Sequence, residues 1–469
     1  MAKRRTVHAC TECGAQQPRW LGRCPDCGAW ESLVEEPLGG PAPGAELLAG
    51  SASSASGAKP VALAEIEAER VPRLDTGQPE LDRVLGGGLV PGSVTLLGGE
   101  PGVGKSTLAL QVAARLAEAG RPVLYVSGEE SAEQIRLRAD RLGAIPKELR
   151  VLAETSTDAV LAHWRDLGPD FVLIDSVQTM RCERVESAAG SVAQVRESAA
   201  ALATAAKAQS AALMLVGHVT KEGHLAGPRV LEHLVDVVLG FEGDREHAFR
   251  LLRASKNRFG STQEVGVFTM AEDGLSAVAN PSELFLAERS SGSPGSCIVP
   301  ILEGTRPMLV EVQALAASAT YGVPRRTCMG IEDGRVALLL AVLDRRSDVD
   351  LLSRDVYVNV AGGVRVSETA ADLALCLAIA SSRLDVPIPP DVAACGEVGL
   401  GGEVRRVGRI DLRVAEAARL GFRRVLVPRG AATETAAGMK CEQVPISSVA
   451  EATRWLRASS AGHGSVDPR

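Results

Sequence analysis

The sequence predicts an α/β protein with a parallel sheet at its centre, a small cysteine-rich module before it and a second domain after it. Three observations carry this. A glycine-rich loop, Gly98 to Thr107, lies between the apolar run Val94–Leu97 and the helical run Leu108–Leu116. Short, wholly apolar runs then alternate with amphipathic stretches, the pattern of a sheet buried on both faces. Two Cys-x-x-Cys pairs fall within the first thirty residues.

Composition bounds the reading. At 469 residues the chain needs two or three domains. Aromatics make up only 3%, so the cores rest on Ala, Val and Leu. A net charge of −7 argues against a protein that coats nucleic acid indiscriminately, but leaves room for a local basic channel. The N-terminus leads into cysteines rather than an apolar signal core, and no apolar run is long enough to span a bilayer. A cytoplasmic protein is expected. Cysteines stay reduced there, so clustered ones suggest metal.

Taken in order, residues 1–36 read as a metal module. Cys10, Cys13, Cys24 and Cys27 form two pairs, each followed by glycine (Gly14 and Gly28). Four thiolates in this pattern suit tetrahedral Zn2+, and a module this small depends on the ion to stay folded. Trp20 and Trp30 are expected to pack against that core. Residues 37–60, rich in Gly, Ala, Ser and Pro, read as a flexible linker.

Residues 61–285 carry the first large domain. Gly99, Glu100, Pro101, Gly102, Val103, Gly104, Lys105 and Ser106 fit G-x-x-x-x-G-K-[ST], with Thr107 next. This is the phosphate-binding P-loop, and the flanking strand and helix supply its context. Glycines let backbone N–H groups turn around phosphate oxygens, and the helix N-terminus favours anions. ATP and Mg2+ are the implied ligands. Lys105 should reach the β- and γ-phosphates, and Ser106 should ligate the Mg2+. The runs Val123–Ser127, Phe171–Ser176 and Ala212–His218 read as further buried strands. Asp175 ends one of them, in the position of the acid that holds Mg2+. Glu129 and Glu130 follow another, where a carboxylate can orient or deprotonate the attacking water. His218 either senses the γ-phosphate or serves as a hydrogen-bonded structural histidine. Lys256-Asn257-Arg258-Phe259-Gly260 follows the strand Phe249–Arg253. It reads as a basic turn, or as a source of transition-state cations.

Together the cysteine pairs, the P-loop, the Asp175 strand and this pentapeptide resemble the bacterial RadA family, also called Sms, over nearly the whole chain. The resemblance implies a RecA-like P-loop ATPase core in a DnaB-like homo-hexamer that moves on single-stranded DNA. It further implies branch migration of intermediates made by the RecA recombinase, in homologous recombination and repair. Ser127 to Gln134 resembles the segment carrying the catalytic glutamate of DnaB-type helicases, which assigns that role to Glu129. Lys256 and Arg258 resemble the pair that such rings insert into a neighbour's ATP site. Pore loops in such rings follow the Asp175 and His218 strands. Here they carry Arg181, Arg184, Lys221 and Arg229, suited to tracking the phosphates of single-stranded or branched DNA.

Residues 286–457 resemble the proteolytic domain of Lon, an α+β fold. Alignment sets Ala370 at the nucleophile and Asp411 at the lysine of the Lon dyad. Without nucleophile and base there is no acyl transfer, so a non-catalytic scaffold is expected. Residues 458–469 read as a disordered tail. Two rival functions stand beside the motor: a nucleotide-switched binding factor without translocation, and an ATP-dependent protease of Lon type, against which the dyad argues.

Overall fold

The computed structural model describes residues 6–10, 16–25, 28, 30, 32–37, 72–143, 146–217, 230–243, 249–287, 289, 292–319, 324–431 and 441–461. The chain divides into two compact units, Met1–Val278 and Ala279–Arg469. Among the described residues no helix is long and apolar enough to cross a membrane.

In the N-terminal module, β1 (Thr6–Cys10) lies between β2 (Gln16–Gln17) and β3 (Leu33–Pro37), antiparallel to both. Its core is Cys10, Cys24 and Leu33, with Leu21 against them. The expectation for the tryptophans fails. Trp20 is 56% and Trp30 73% exposed. The cysteines and leucines already fill so small a core, and the indoles are left outside it. Arg23 instead lies over the Trp30 ring, 5.7 Å from its centroid. The stretch read as a linker, beyond Pro37, lies outside the described residues.

The nucleotide-binding core begins with α1 (Pro79–Leu85), β4 (Val94–Gly99), α2 (Lys105–Glu118), β5 (Val123–Ser127) and α3 (Ala132–Arg141). It continues through β6 (Leu149–Ala153), α4 (Thr157–Leu167), β7 (Phe171–Asp175), α5 (Val192–Gln209), β8 (Ala212–Val216) and α6 (Val230–Leu234). It closes with β9 (Val237–Glu242), β10 (Phe249–Asn257), β11 (Val265–Ala271) and β12 (Gly274–Ala277). The sheet order is β12-β11-β10-β9-β4-β8-β7-β5-β6. From β9 to β6 every pair is parallel; β10 to β12 extend the edge as an antiparallel meander. This is the RecA-like arrangement, with β8 between the strand that feeds the P-loop and the strand that ends in Asp175.

Alternation along each strand explains the continuous apolar runs. Leu97, Tyr125, Leu173, Met214 and Leu239 face one core, with residues of α1, α2 and α3. Leu96, Leu124, Val172, Leu213 and Val238 face the other, with residues of α4, α5 and α6. Successive side chains point to opposite faces, so a strand covered on both sides has no polar position. Helix starts are capped as their sequences require. Ser131 and Gln134 form a reciprocal capping box on α3, and Ser156 and Ser191 accept from the first turns of α4 and α5.

The second unit comprises α7 (Pro281–Leu286), β13 (Ser296–Glu303), β14 (Arg306–Ser318), β15 (Arg326–Met329), α8 (Asp333–Arg346), β16 (Arg354–Val360) and α9 (Asp372–Leu384). It continues with β17 (Val392–Ala394), β18 (Glu397–Val398), β19 (Val404–Arg405), α10 (Ile410–Arg419), β20 (Arg424–Pro428), β21 (Glu442–Ile446) and α11 (Val449–Ala461). Its mixed sheet runs β15-β16-β14-β13-β17-β20-β21. Residues 458–461, expected in the tail, are the last turn of α11.

One buried charge holds the start of this unit's α9 region to α10. Arg413 has a side chain only 3% exposed. Its guanidinium donates to Glu368 at 2.8 and 2.6 Å, to the Pro300 carbonyl at 2.6 Å and to the Gly408 carbonyl at 3.0 Å. Removing one partner of a buried pair leaves the other uncompensated. Arg413→Ala should therefore destabilise the second unit by about 3–5 kcal/mol. Denaturant unfolding that resolves the two units would check this, with the P-loop unit unaffected.

Candidate nucleotide site and zinc module

The P-loop sits at the carboxyl end of β4 and runs straight into α2. Its glycines answer to sterics as well as to conformation. Gly104 has φ 114°, and a Cβ there would lie 2.8 Å from Met270 Cε. A Cβ on Gly99 would run into the carbonyl oxygen of Phe241 on the adjacent β9. The Lys105 ammonium lies beneath the loop, donating to the carbonyls of Gly99 at 2.8 Å and Glu100 at 2.9 Å. Burial pushes its pKa down, while the charges of Asp175 and Glu129 oppose that shift. Both carboxylates thus act on the lysine electrostatically, although they come from different strand ends.

Each of those carboxylates is oriented by a neighbour. The Tyr125 hydroxyl donates to Asp175 Oδ2 at 2.7 Å. Burial, then the Asp175 charge, raises the tyrosine pKa, so the phenol keeps its proton and remains a donor. The Ser176 hydroxyl donates to Glu129 Oε1 at 2.5 Å. Glu130 is engaged elsewhere: its carboxylate pairs with Arg138 on α3, and its N–H donates to Ser127 Oγ at 2.9 Å. The adjacent acids are thereby separated into one turned toward β7 and one tied to a helix.

The pentapeptide Lys256–Gly260 lies at the other end of the sheet's strands. Strand β10 extends through Asn257, so Lys256 and Asn257 are strand residues rather than a following loop. Asn257 pairs with Val237, and Val237 with Thr95 at the amino end of β4, opposite the P-loop. A β-bulge at Ser255 shifts the register, so that Ala254 pairs with Leu239 and Lys256 with Val238. The extra residue turns Lys256 away from the core that holds Ala254 and toward α6. Its ammonium there donates to the carbonyls of Glu232 at 2.6 Å and Val235 at 2.7 Å.

The rest of the pentapeptide clamps α1. Asn257 donates to the carbonyls of Val84 and Leu85, at 3.2 and 3.3 Å. Arg73 bridges the carbonyls of Leu85 and Phe259, at 3.0 and 2.7 Å. Arg258 donates to Asp236 at 3.1 Å, with its side chain still 56% exposed.

Of the expected DNA-contacting residues, Arg181 and Arg184 are exposed beyond the carboxyl end of β7. The Arg181 N–H donates to Thr155 beyond β6. His218, Lys221 and Arg229 lie outside the described residues, as do Cys13 and Cys27.

The two expected zinc ligands that are described, Cys10 and Cys24, come together. Cys10 and Cys24, 0% and 1% exposed, meet in one buried cluster although they are distant in sequence. Cys10 Sγ is 3.2 Å from Ser32 Oγ. The Gly28 N–H donates to the Cys24 carbonyl at 2.9 Å, and its φ of 77° closes the turn of the second pair. Among the described residues no group of three or more His, Cys, Asp or Glu could hold a metal ion.

Sequence reading did not single out Tyr125, Ser176, Arg138 or Asp236. Tyr125 lies inside an apolar strand, and only the pairing of β5 with β7 brings it to Asp175.

Two outcomes follow from this geometry. Tyr125→Phe should bind ATP normally but turn it over roughly tenfold more slowly, since a hydrogen bond to a charged group is worth about 1.5 kcal/mol or more. Steady-state ATPase beside nucleotide titration checks it, and equal loss of both would point to misfolding. Cys24→Ser should lower bound zinc from about one ion per chain toward zero, read by elemental analysis.

Comparison with known proteins agrees with these parts. Residues 60–224 match the AAA domain family, residues 8–35 the rubredoxin metal binding domain, and residues 345–445 the Lon protease (S16) C-terminal proteolytic domain. The DNA repair protein RadA of Halalkalibacterium halodurans is 52% identical over 433 residues, covering 91% of this chain and 93% of that one. RadA of Bacillus subtilis is 50% identical over 454 residues, covering 97% and 99%. Among solved structures, the RadB recombinase is 23% identical with a TM-score of 0.36, covering 44% of this chain and 99% of its own. The ATPase domain of G40P is 13% identical with a TM-score of 0.39, covering 44% and 92%. On the strength of the full-length relatives, the chain belongs to the RadA family of DNA repair proteins.

Proposed function

We propose that the chain is a DNA-stimulated ATPase motor of homologous recombination and repair, working in the cytoplasm as a homo-hexameric ring. It translocates on single-stranded DNA and drives branch migration of intermediates made by the RecA recombinase. One observation carries the ring. The P-loop and the Lys256–Gly260 segment occupy opposite ends of the same sheet, separated by roughly 13 Å or more at about 3.3 Å per residue. Arg258 cannot serve its own P-loop from there, so it serves a neighbour's.

Each residue then has a task. The P-loop N–H groups and Lys105 hold the β- and γ-phosphates. Ser106 and Asp175 would hold Mg2+, which when bound supplies positive charge against the phosphates. Glu129, kept in place by Ser176, takes the proton of the attacking water. Arg258 of a neighbouring subunit stabilises charge on the transferring phosphoryl group; arginines so placed are worth about 10³–10⁵ in rate. Lys256 joins it on release from its own α6 carbonyls. Arg181, Arg184, Lys221 and Arg229 contact DNA phosphates, giving salt-sensitive, sequence-tolerant binding. The second unit serves as a scaffold and not as a protease. Ala370, aligned with the Lon nucleophile, presents a buried methyl group, and Asp411 pairs with Arg409 at 3.5 Å.

Single-stranded DNA should raise the ATPase rate several-fold, and particle mass with ATP should equal six chains. Lys105→Ala should abolish turnover while leaving the fold intact. A DNA-insensitive rate from a monomer would defeat the motor reading and favour a nucleotide-switched binding factor.

A further inference from the structure

Resting on the assignment of Arg258 to a neighbour's nucleotide, we propose that Asp236 is the residue that positions that guanidinium. Asp236 follows α6 and precedes β9, and is only 5% exposed. Its two carboxylate oxygens have different partners. Oδ2 accepts from the Val94 N–H at 3.1 Å, and Oδ1 accepts from Arg258 Nη1 at 3.1 Å. The backbone doubles both ties: Asp236 N–H donates to the Val94 carbonyl at 2.9 Å, and Arg258 N–H donates to the Asp236 carbonyl at 3.2 Å.

A buried, doubly anchored acid therefore grips one edge of an arginine whose side chain is 56% exposed. A guanidinium has five N–H donors, and this grip engages one. Among the described residues no other side-chain hydrogen bond of Arg258 stands beside it, and the exposed side leaves donors for oxygens supplied from outside the chain. An exposed arginine otherwise samples many rotamers, and each must be given up when it meets a phosphoryl group. Asp236 removes part of that freedom beforehand, as preorganised catalysis requires. Lys256 restrains the same segment by holding α6, the helix that leads into Asp236.

A purely structural alternative is explicit in the same bonds. Val94 opens β4, which ends in the P-loop, so Asp236 could serve only its own subunit's phosphate site. Subunit mixing separates the two. Asp236→Asn keeps an acceptor for Val94 and loses the charge that holds Arg258. As a homomer it should lose about tenfold in kcat, with KM for ATP within twofold. Mixed with Lys105→Ala it should recover turnover above the average of the two, because some interfaces pair an intact P-loop with an intact Asp236 and Arg258. Mixed with Arg258→Ala it should recover nothing, since both lesions fall on the same side of the interface.

The reverse pattern, recovery with Arg258→Ala and none with Lys105→Ala, would overturn the proposal in favour of the structural role, as would an unchanged kcat. Failure of Lys105→Ala and Arg258→Ala to complement each other in assemblies shown to be mixed would instead remove the parent assignment, and Asp236 would fall with it. Thermal melting monitors folding. If Asp236→Asn melts early, Asp236→Glu, which retains the charge but displaces it by a methylene, should show the same grouping at a smaller loss of kcat; the opposite grouping overturns the proposal.

Discussion

A parallel strand has a carboxyl end and an amino end, and the proposed mechanism uses both ends of β4. Its carboxyl end delivers the P-loop; its amino end, through Val94, anchors Asp236 and with it Arg258. The strand between them is wholly buried and paired on both sides, by β8 and β9. Such a strand bends little, because every backbone group is in the ladder and every side chain is packed. The distance between the phosphate loop and the backbone that carries Arg258 is therefore fixed within the chain.

Around the phosphate loop the controlling effect is electrostatic. Lys105 is held in a buried place that disfavours its charge, and Asp175 and Glu129 offset that cost. Those carboxylates in turn need orientation, which Tyr125 and Ser176 supply by donating to them. An acid free to rotate would hold Mg2+ or accept a proton less effectively than one already aimed. Glu130, one residue from Glu129, goes to Arg138 instead. Sequence adjacency thus says little about what each acid touches.

In the second unit, the residues around Ala370 are tied down by ion pairs and backbone hydrogen bonds. Near the aligned nucleophile, Ala370 is buried, and Glu368 beside it is committed to Arg413 and to the Leu302 N–H. Asp372, two residues on, pairs with Arg335 and accepts from the Val398 N–H. The carboxylates around Ala370 are thus held in ion pairs and backbone hydrogen bonds, which suits a scaffold.

Local pattern determined much of this protein. The P-loop, the acid at the end of a buried strand and the alternation of strand and helix are each set by contiguous residues. Their physics is local too: glycine conformation, helix capping and two-faced burial. The paired cysteines were legible on the same grounds. Only tertiary structure decided the rest. Strand pairing brings Tyr125 to Asp175, and a single bulge decides which face Lys256 occupies. The antiparallel pairing of β10 with β9 sets the Lys256–Gly260 segment at the end of the sheet opposite the P-loop. The exposure of Trp20 and Trp30 belongs here as well, since burial depends on the room left in a core. The physical reason is the same in each case. Contacts between residues far apart in the chain depend on register, and register is a property of two strands rather than one.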